Sequence, residues 1–486
     1  VRQSFPLDGI RLDRDNPMNL HRQLYAQLRR LIEGRALPSG HALPSSRAMA
    51  KDLNIGRNTV IAACEQLALE GYLSIRPRTP PVVMALPAPA LGRRQAPADG
   101  HEAISARGRV MLDQPFHHGR PGMLAFHPGM PDPANFPFNT WSKLLARRAK
   151  IAHVDLFGTY HVTGYPPLCE AIARYLTASR GVRCAPDQIV VTNGAQSAFD
   201  LLARMLIDAG DSVWMEEPGY YGAGSAFISA GAKLAPLHVG EAGWELDPPA
   251  TAPRLIFVTP SCHHPLGLTM PMEQRLTLLH LAEGWNAWIV EDDFDGEYRF
   301  QGQPIPALQG ISASSRVVYV GTFAKILFPA MRLGFLVVPE PMRERIAAAL
   351  SVTGQFAPLL AQAALADFMN EGHFARHLRR MRRLYAERRH HFLHAASRHL
   401  GAWLDFHGTE SGIQLVGLFR DPCDDRAIAE AALAQGVNVS PLSMQYRHGK
   451  PRQGLVMGFA AVDVATTGKG MAKLARVLQA EFGGRS

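Results

Sequence analysis

A lysine, Lys325, stands between two apolar runs, 317–320 (VVYV) and 333–338 (LGFLVV). A lysine close to buried surface loses hydration in its charged form, so its pKa falls. The neutral amine is then a nucleophile that can form a Schiff base with a carbonyl. Thr322 lies three residues before it and Arg332 seven residues after it. A hydroxyl and a guanidinium can serve one phosphate group together. Amine, hydroxyl and arginine at this spacing are what a site for pyridoxal 5'-phosphate (PLP), a phosphorylated aldehyde, requires. Taken alone, Lys325 would read as a solvated lysine in a loop between strands; its companions reverse that.

Those companions each follow a predicted strand. Residues 188–192 lead into Asn193-Gly194-Ala195-Gln196 and a helix through Leu206. Residues 213–215 lead to Tyr220, residues 255–259 form a third strand, and residues 287–292 end on Asp292. Continuous apolar strands separated by helices predict a mostly parallel sheet covered on both faces. Ligands of such sheets bind beyond the carboxyl ends of the strands. There, Gly194, Ala195 and Gln196 open a helix whose free N–H groups suit a phosphate. Tyr220 offers a face for a pyridine ring, and Asp292 can pair with a protonated ring nitrogen and strengthen its electron withdrawal. Individually Asp292 could cap a loop and Tyr220 could fill core, but four such groups in order describe one PLP site.

The amino-terminal stretch reads differently. Leu20, Leu24, Leu28 and Leu31 recur at helical spacing, with arginines opposite and Gly34 as a stop. Ser45 or Ser46 can cap a helix ending near Asn54, and Gly56-Arg57-Asn58-Thr59-Val60 opens another, with Val60, Ala63, Cys64 and Leu67 facing inward. Two short helices joined by a tight turn form a helix-turn-helix. Residues 73–76 and 82–84 then read as a hairpin, completing a winged helix.

This segment, 15–85, resembles the GntR-type DNA-binding domain through Leu-Pro-Ser-Ser-Arg (43–47), Arg-Asn-Thr-Val (57–60) and Glu-Gln-Leu-Ala-Leu-Glu-Gly-Tyr-Leu (65–73). The later region resembles fold-type I aminotransferases through Thr-Asn-Gly-Ala-Gln, Glu-Glu-Pro-Gly-Tyr, Val-Thr-Pro-Ser, Glu-Asp-Asp-Phe-Asp and Gly-Thr-Phe-Ala-Lys…Met-Arg-Leu-Gly-Phe. Together, from about residue 15 to 486, the chain is similar to the MocR (GabR-like) transcriptional regulators. The resemblance implies a multidomain chain: a mostly α winged helix, a linker over 86–122, and an α/β PLP-binding domain over 123–486. The last would comprise a large part at about 150–350 and a small α+β part at about 351–486. It further implies operator DNA as partner, Arg57, Asn58 and Thr59 at the start of the recognition helix, and Arg47, Arg76 and Arg78 as further DNA contacts. PLP as cofactor, a homodimer, and control by a small amine or by PLP itself follow from the same resemblance.

Departures from the family pattern carry as much meaning. The wing turn, usually glycine-rich, is Arg78-Thr79-Pro80-Pro81, which is stiffer and poorer in N–H donors. Phe294 stands where a tyrosine would hydrogen-bond the phenolic oxygen of PLP; His264 either takes over that bond or only packs. Residue 324 is alanine rather than serine. Val456 stands where catalytic aminotransferases carry an arginine for the substrate carboxylate, with Arg452 nearby in sequence. The expectation is a PLP-dependent transcriptional regulator sensing through an aldimine on Lys325, with half-transamination at most; the alternative is an active aminotransferase with a DNA-binding appendage.

Composition agrees with this frame. The 486 residues exceed one core. No apolar run is long enough to span a membrane, no signal peptide pattern opens the chain, and five scattered cysteines fit a reducing cytoplasm. Residues 1–120 hold 17 Lys and Arg against 10 Asp and Glu, a net +7, whereas the remainder holds 34 against 32, a net +2. The excess at one end marks either a polyanion partner or a solvated basic surface. Residues 85–122, rich in Ala, Pro, Gly and Arg, read as a partly extended tether. Residues 360–400 read as one long arginine-dense helix with Leu378, Met381 and Leu384/Tyr385 inward, solvated or facing a second subunit rather than touching DNA. Strands near 411–419 and 454–459 and a helix at 425–435 complete the small part.

Overall fold

The computed structural model describes residues 9–86, 104–114, 124–151, 156, 158, 160–300, 302, 305–314, 316–407 and 410–483. The chain forms two compact units, Val1–Gly100 and His101–Ser486.

In the first unit, α1 (Leu20–Glu33), α2 (Ser46–Asp52) and α3 (Arg57–Leu69) enclose Leu24, Leu28, Ile32, Met49, Val60, Ala63 and Leu67, each almost wholly buried. The inward stripe of α1 passes through Ile32 more than Leu31, as a 3.6-residue period requires. Ser45 caps α2, its Oγ accepting from the Ala48 N–H at 3.2 Å. Asn54 turns the chain in the left-handed region, φ 51°. The expected hairpin shrinks to β1 (Leu73–Ser74) and β2 (Val82–Val83), antiparallel. The cause lies in its turn: Arg78 adopts φ 64° where glycine is ordinarily preferred, and Pro80 and Pro81 have no N–H to donate. The far side of β2 is instead held by residues 40–43, through an Ala42–Val82 bridge and Leu43 N–H to Pro81 O at 2.8 Å.

The second unit is built on an eight-stranded sheet: β3 (Ile189–Thr192), β4 (Ser212–Glu217), β5 (Lys233–Gly240), β6 (Gly243–Trp244), β7 (Leu255–Val258), β8 (Trp288–Asp293), β9 (Val317–Thr322) and β10 (Gly334–Val337). Their order is β3-β10-β9-β8-β7-β4-β5-β6. The run β9-β8-β7-β4-β5 is parallel, while β10 is antiparallel to both neighbours. Alternate residues serve opposite faces: Leu255 and Phe257 enter one core, Ile256 and Val258 another. Burial on both faces is why β7 (LIFV) and the opening residues of β8 (WIV) and β9 (VVYV) are apolar.

The small part carries β11 (Leu404–His407), β12 (Gln414–Phe419), β13 (Ser440–Pro441) and β14 (Gly454–Gly458), antiparallel in the order β11-β12-β14-β13. The helix expected at 425–435 is Asp425–Ala434. The arginine-dense stretch is two helices, Leu359–Asn370 and His373–Leu400, because Gly372 adopts φ 75° between them. Within the expected tether, residues 87–103 and 115–123 lie outside the described residues, but Ser105 caps a helix, Ala106–Leu112, that packs on the helix Tyr221–Ser229. That stretch belongs to the second unit rather than to an extended link. The five cysteines are free thiols, and no helix among the described residues is long and apolar enough to cross a membrane.

Candidate functional site

The antiparallel β10 brings separate segments together. Its first residue, Gly334, pairs with Thr322 at the end of β9 and with Thr192 at the end of β3. A Cβ on Gly334 would stand 3.0 Å from Gly194, so any larger residue would push the two backbones apart. Arg332, just before β10, has φ 52°, and its guanidinium lies 3.7–3.9 Å from where Gly194 would carry a Cβ. Gly194 itself, φ 84°, caps the twelve-residue helix Ala195–Leu206. The first turn of that helix, at Ala195 and Gln196, presents N–H groups that no intrahelical carbonyl can take. The Gln196 side chain is engaged elsewhere, donating to Gly222 O at 2.8 Å. Thr322 Oγ1 accepts from the Ala324 N–H at 3.2 Å, which leaves its hydroxyl proton for another acceptor. Guanidinium, helix N-terminus and hydroxyl are groups of the kind that could together meet an anion.

Lys325 follows on the same turn, and its Nζ donates to Gly129 O at 2.7 Å. Burial pushes its pKa down, opposed by the charges of Asp295 and Asp292. Asp292, in β8, is buried, and burial holds its pKa well above the usual carboxylate range. The charges of Asp293 and Glu216 add to this, while Lys325 opposes it. Asp292 Oδ1 has no hydrogen-bond partner among the described residues. Tyr220 lies close to both ends of the site: burial and Asp292 raise its pKa to about 12, with Arg332 pulling the other way. Its ring meets His264 edge-on at 5.3 Å, and His264 meets Phe294 at 5.6 Å.

The loop carrying His264 is fixed from beneath. Glu216 accepts from Thr259 N–H and Oγ1, at 2.8 and 2.6 Å, and from Trp244 Nε1 at 2.7 Å; Thr259 Oγ1 in turn accepts from the His264 N–H at 3.0 Å. On the opposite face of β8, Asp293 pairs with Arg180 at 2.6 Å and accepts from the Tyr319 hydroxyl at 2.6 Å.

Three contributors were not singled out from the sequence. The Gly129 carbonyl lies in a segment without a distinguishing pattern, whereas Asp295 closes the Glu-Asp-Asp-Phe-Asp motif, from which only Asp292 and Phe294 were given roles. Gln414 is buried, and its Nε2 lies 3.4 Å from His264 Nδ1. Its signal was a polar residue in the otherwise apolar run 413–419.

Val456 sits on β14 opposite Val416, nearly fully buried with Leu418 and Leu442 and flanked by Leu266. Arg452 does not replace the missing arginine: it is exposed and pairs with Glu241 at 3.3 Å.

In the first unit Arg47, Arg57, Asn58, Arg76 and Arg78 are exposed and Thr59 is half-buried. Arg57 Nε donates to Ser46 Oγ at 3.2 Å, tying the start of α3 to the start of α2.

Two families match the chain in sequence. Residues 20–83 match the gntR family of bacterial regulatory proteins, and residues 130–462 match aminotransferase class I and II. Over 465 residues the chain is 51% identical to the probable rhizopine catabolism regulatory protein MocR of Rhizobium meliloti, spanning 95% of this chain and 94% of that one. The chain belongs to the MocR family of transcriptional regulators. Another relative, 30% identical over 94% of this chain and 95% of its own, is the HTH-type pyridoxine biosynthesis transcriptional regulator PdxR of Corynebacterium glutamicum. Among solved structures, the α-aminoadipate aminotransferase LysN of Thermus thermophilus is similar with a TM-score of 0.69 and 26% identity, over 79% of this chain and 99% of that one. A kynurenine aminotransferase of Pyrococcus horikoshii, TM-score 0.71 at 24% identity over 79% of this chain and 98% of that one, shares the fold. The family accordingly joins a DNA-binding head of the gntR kind to a domain of a PLP-dependent class.

Proposed function

We propose that this regulator binds operator DNA through residues 15–85, holds PLP at Lys325, and changes its DNA-bound state when a small amine, or PLP itself, occupies that site. The observation that carries the reading is the unpartnered Oδ1 of buried Asp292, beside a lysine whose pKa burial depresses. An unpaired buried acid is costly, and a cationic ring nitrogen is the partner it lacks. When bound, PLP supplies an aldehyde for a primary amine and a ring that withdraws electrons. Arg332, Thr322 and the amides opening at Gly194, Ala195 and Gln196 would hold the phosphate, Tyr220 would face the ring, and Lys325 would present its neutral amine. Phe294 has no hydroxyl for the phenolic oxygen; His264, packed between Tyr220 and Phe294, is the nearest substitute. Arg47, Arg57, Asn58, Thr59, Arg76 and Arg78 would meet DNA phosphates and base edges. The proposed assembly is a cytoplasmic homodimer, since two-fold symmetry suits paired operator half-sites.

Sustained transamination is disfavoured. Its substrate carboxylate needs a clamp, and Val456 lies among hydrocarbon where that clamp belongs. The test adds PLP to the purified chain. Wild type should gain a visible absorption band that Lys325→Ala lacks, while Lys325→Ala still binds operator but no longer responds to effector. A wild type that stays colourless refutes the cofactor reading. Several turnovers per second with any α-amino acid and keto acid refute the regulator reading of the site.

A further inference from the structure

Resting on that reading, we infer that Gln414, with His264 beside it, reads the effector, selecting a primary amine whose neighbouring substituent is a neutral hydrogen-bonding group such as a hydroxyl, not a carboxylate. Gln414 is brought to Lys325 by the small sheet. A Cβ built on Gly129, the residue whose carbonyl receives Lys325 Nζ, would touch that Nζ and lie 3.5 Å from Gln414 Oε1. The amide nitrogen of Gln414 is 3.4 Å from His264 Nδ1. One buried amide and one imidazole therefore border the amine-bearing end of the site, and they offer both donors and acceptors.

The same sheet face gives this pair its selectivity. Alternate residues of a strand share a face, so Val416 and Leu418 follow Gln414 on β12, and Val456 lies directly across from Val416 on β14. These side chains pack with Leu442, and Leu266, two residues beyond His264, closes against them. Beyond Gln414 the face is hydrocarbon. Arginines close by in sequence are engaged: Arg447 donates to Tyr221 O at 3.0 Å, and Arg452 pairs with Glu241. A carboxylate laid on this face would give up its hydration without meeting either of these arginines, whereas a hydroxyl would find the Gln414 amide.

Serine and 2-amino-1,3-propanediol test this, because they share a skeleton and differ in a carboxylate for a hydroxymethyl group. Each is titrated into the full chain loaded with PLP, following the visible band. The amino diol should half-saturate the change at a concentration at least about tenfold lower than serine, a difference of about 1.4 kcal/mol. Gln414→Leu should bring the ratio towards one, and Val456→Arg should invert it in favour of serine. An intact band with serine preferred or equal, with no response to either amine, or with a ratio unmoved by both substitutions overturns the inference and leaves the cofactor reading standing. Absence of the band in wild type overturns both.

Discussion

Replacing Asp292 by asparagine should have opposite effects on the PLP-free and PLP-loaded protein. Without cofactor, Asp292 is a buried acid with an unpartnered Oδ1, repelled by Asp293 and Glu216 and only partly compensated by Lys325. Its pKa in the folded chain lies well above the ordinary 3.8. The folded state therefore holds a proton that the unfolded chain releases, and stability contributed by this group falls as pH rises from about 4 through the raised pKa. Asparagine removes that loss but leaves an amide with imperfect partners, so the net gain for PLP-free protein at pH 8 is about 1–2 kcal/mol. The gain should have largely disappeared by pH 4, where the unfolded chain releases this proton only in part and the folded chain keeps it. With PLP the sign reverses. The ring nitrogen loses an ionic partner, and removing one member of a buried charge pair costs about 2–5 kcal/mol, at least tenfold in affinity. Urea denaturation at pH 4 and pH 8, with and without PLP, and absorbance titration of PLP would measure both arms. An asparagine variant that is less stable than wild type at pH 8 without PLP, or that binds PLP within twofold of wild type, refutes the placement of Asp292 opposite the ring nitrogen.

Other outcomes follow from neighbouring groups. Burial raises Glu216 and Glu297 to about 7 and Glu291 and Asp295 to about 6, so PLP-free protein should lose stability as pH rises between about 4.5 and 7, measurable by thermal unfolding across that range; a rise instead would contradict it. Arg57→Ala should weaken specific operator binding by about 1–3 kcal/mol at fixed salt in a gel-shift assay, and equal affinity would remove Arg57 from the base-reading set. Arg180→Ala should destabilise the second unit by about 3–5 kcal/mol, because Asp293 would remain buried without its cation; a change below about 1 kcal/mol in urea denaturation would show that the pair is dispensable. Sedimentation at micromolar concentration should give a dimer, and a stable monomer that binds PLP would contradict the two-fold assembly.

Residues that follow directly from strand ends were legible in the sequence. Gly194, Tyr220, Asp292 and Lys325 each lie at or just past an apolar run, and a parallel sheet puts all such positions on one edge. Arg332 was legible by type and spacing, but its route to Gly194 was not. That route depends on β10 running against its neighbours, and a short apolar strand buried on both faces carries no mark of direction. The helix Ala106–Leu112 was hidden for a compositional reason: with no buried residue of its own it leaves no apolar stripe, and its neighbours Pro97 and Gly100 suggest a tether.

Gln414 shows the deeper limit. It reaches Lys325 from a strand of the small sheet, 89 residues later in the chain, so no local pattern connects the two. What the sequence does hold is a conflict: glutamine is a poor choice inside a run that is otherwise buried hydrocarbon, unless its amide has partners. His264 accounts for only one of those bonds, at a long 3.4 Å. Val456 presents the converse, an apolar residue where the resemblance implied a charge. Both residues lie on one face of one sheet, and a face that carries valine where a cation was expected while burying a neutral amide would suit an uncharged polar group close to the amine of Lys325, as proposed.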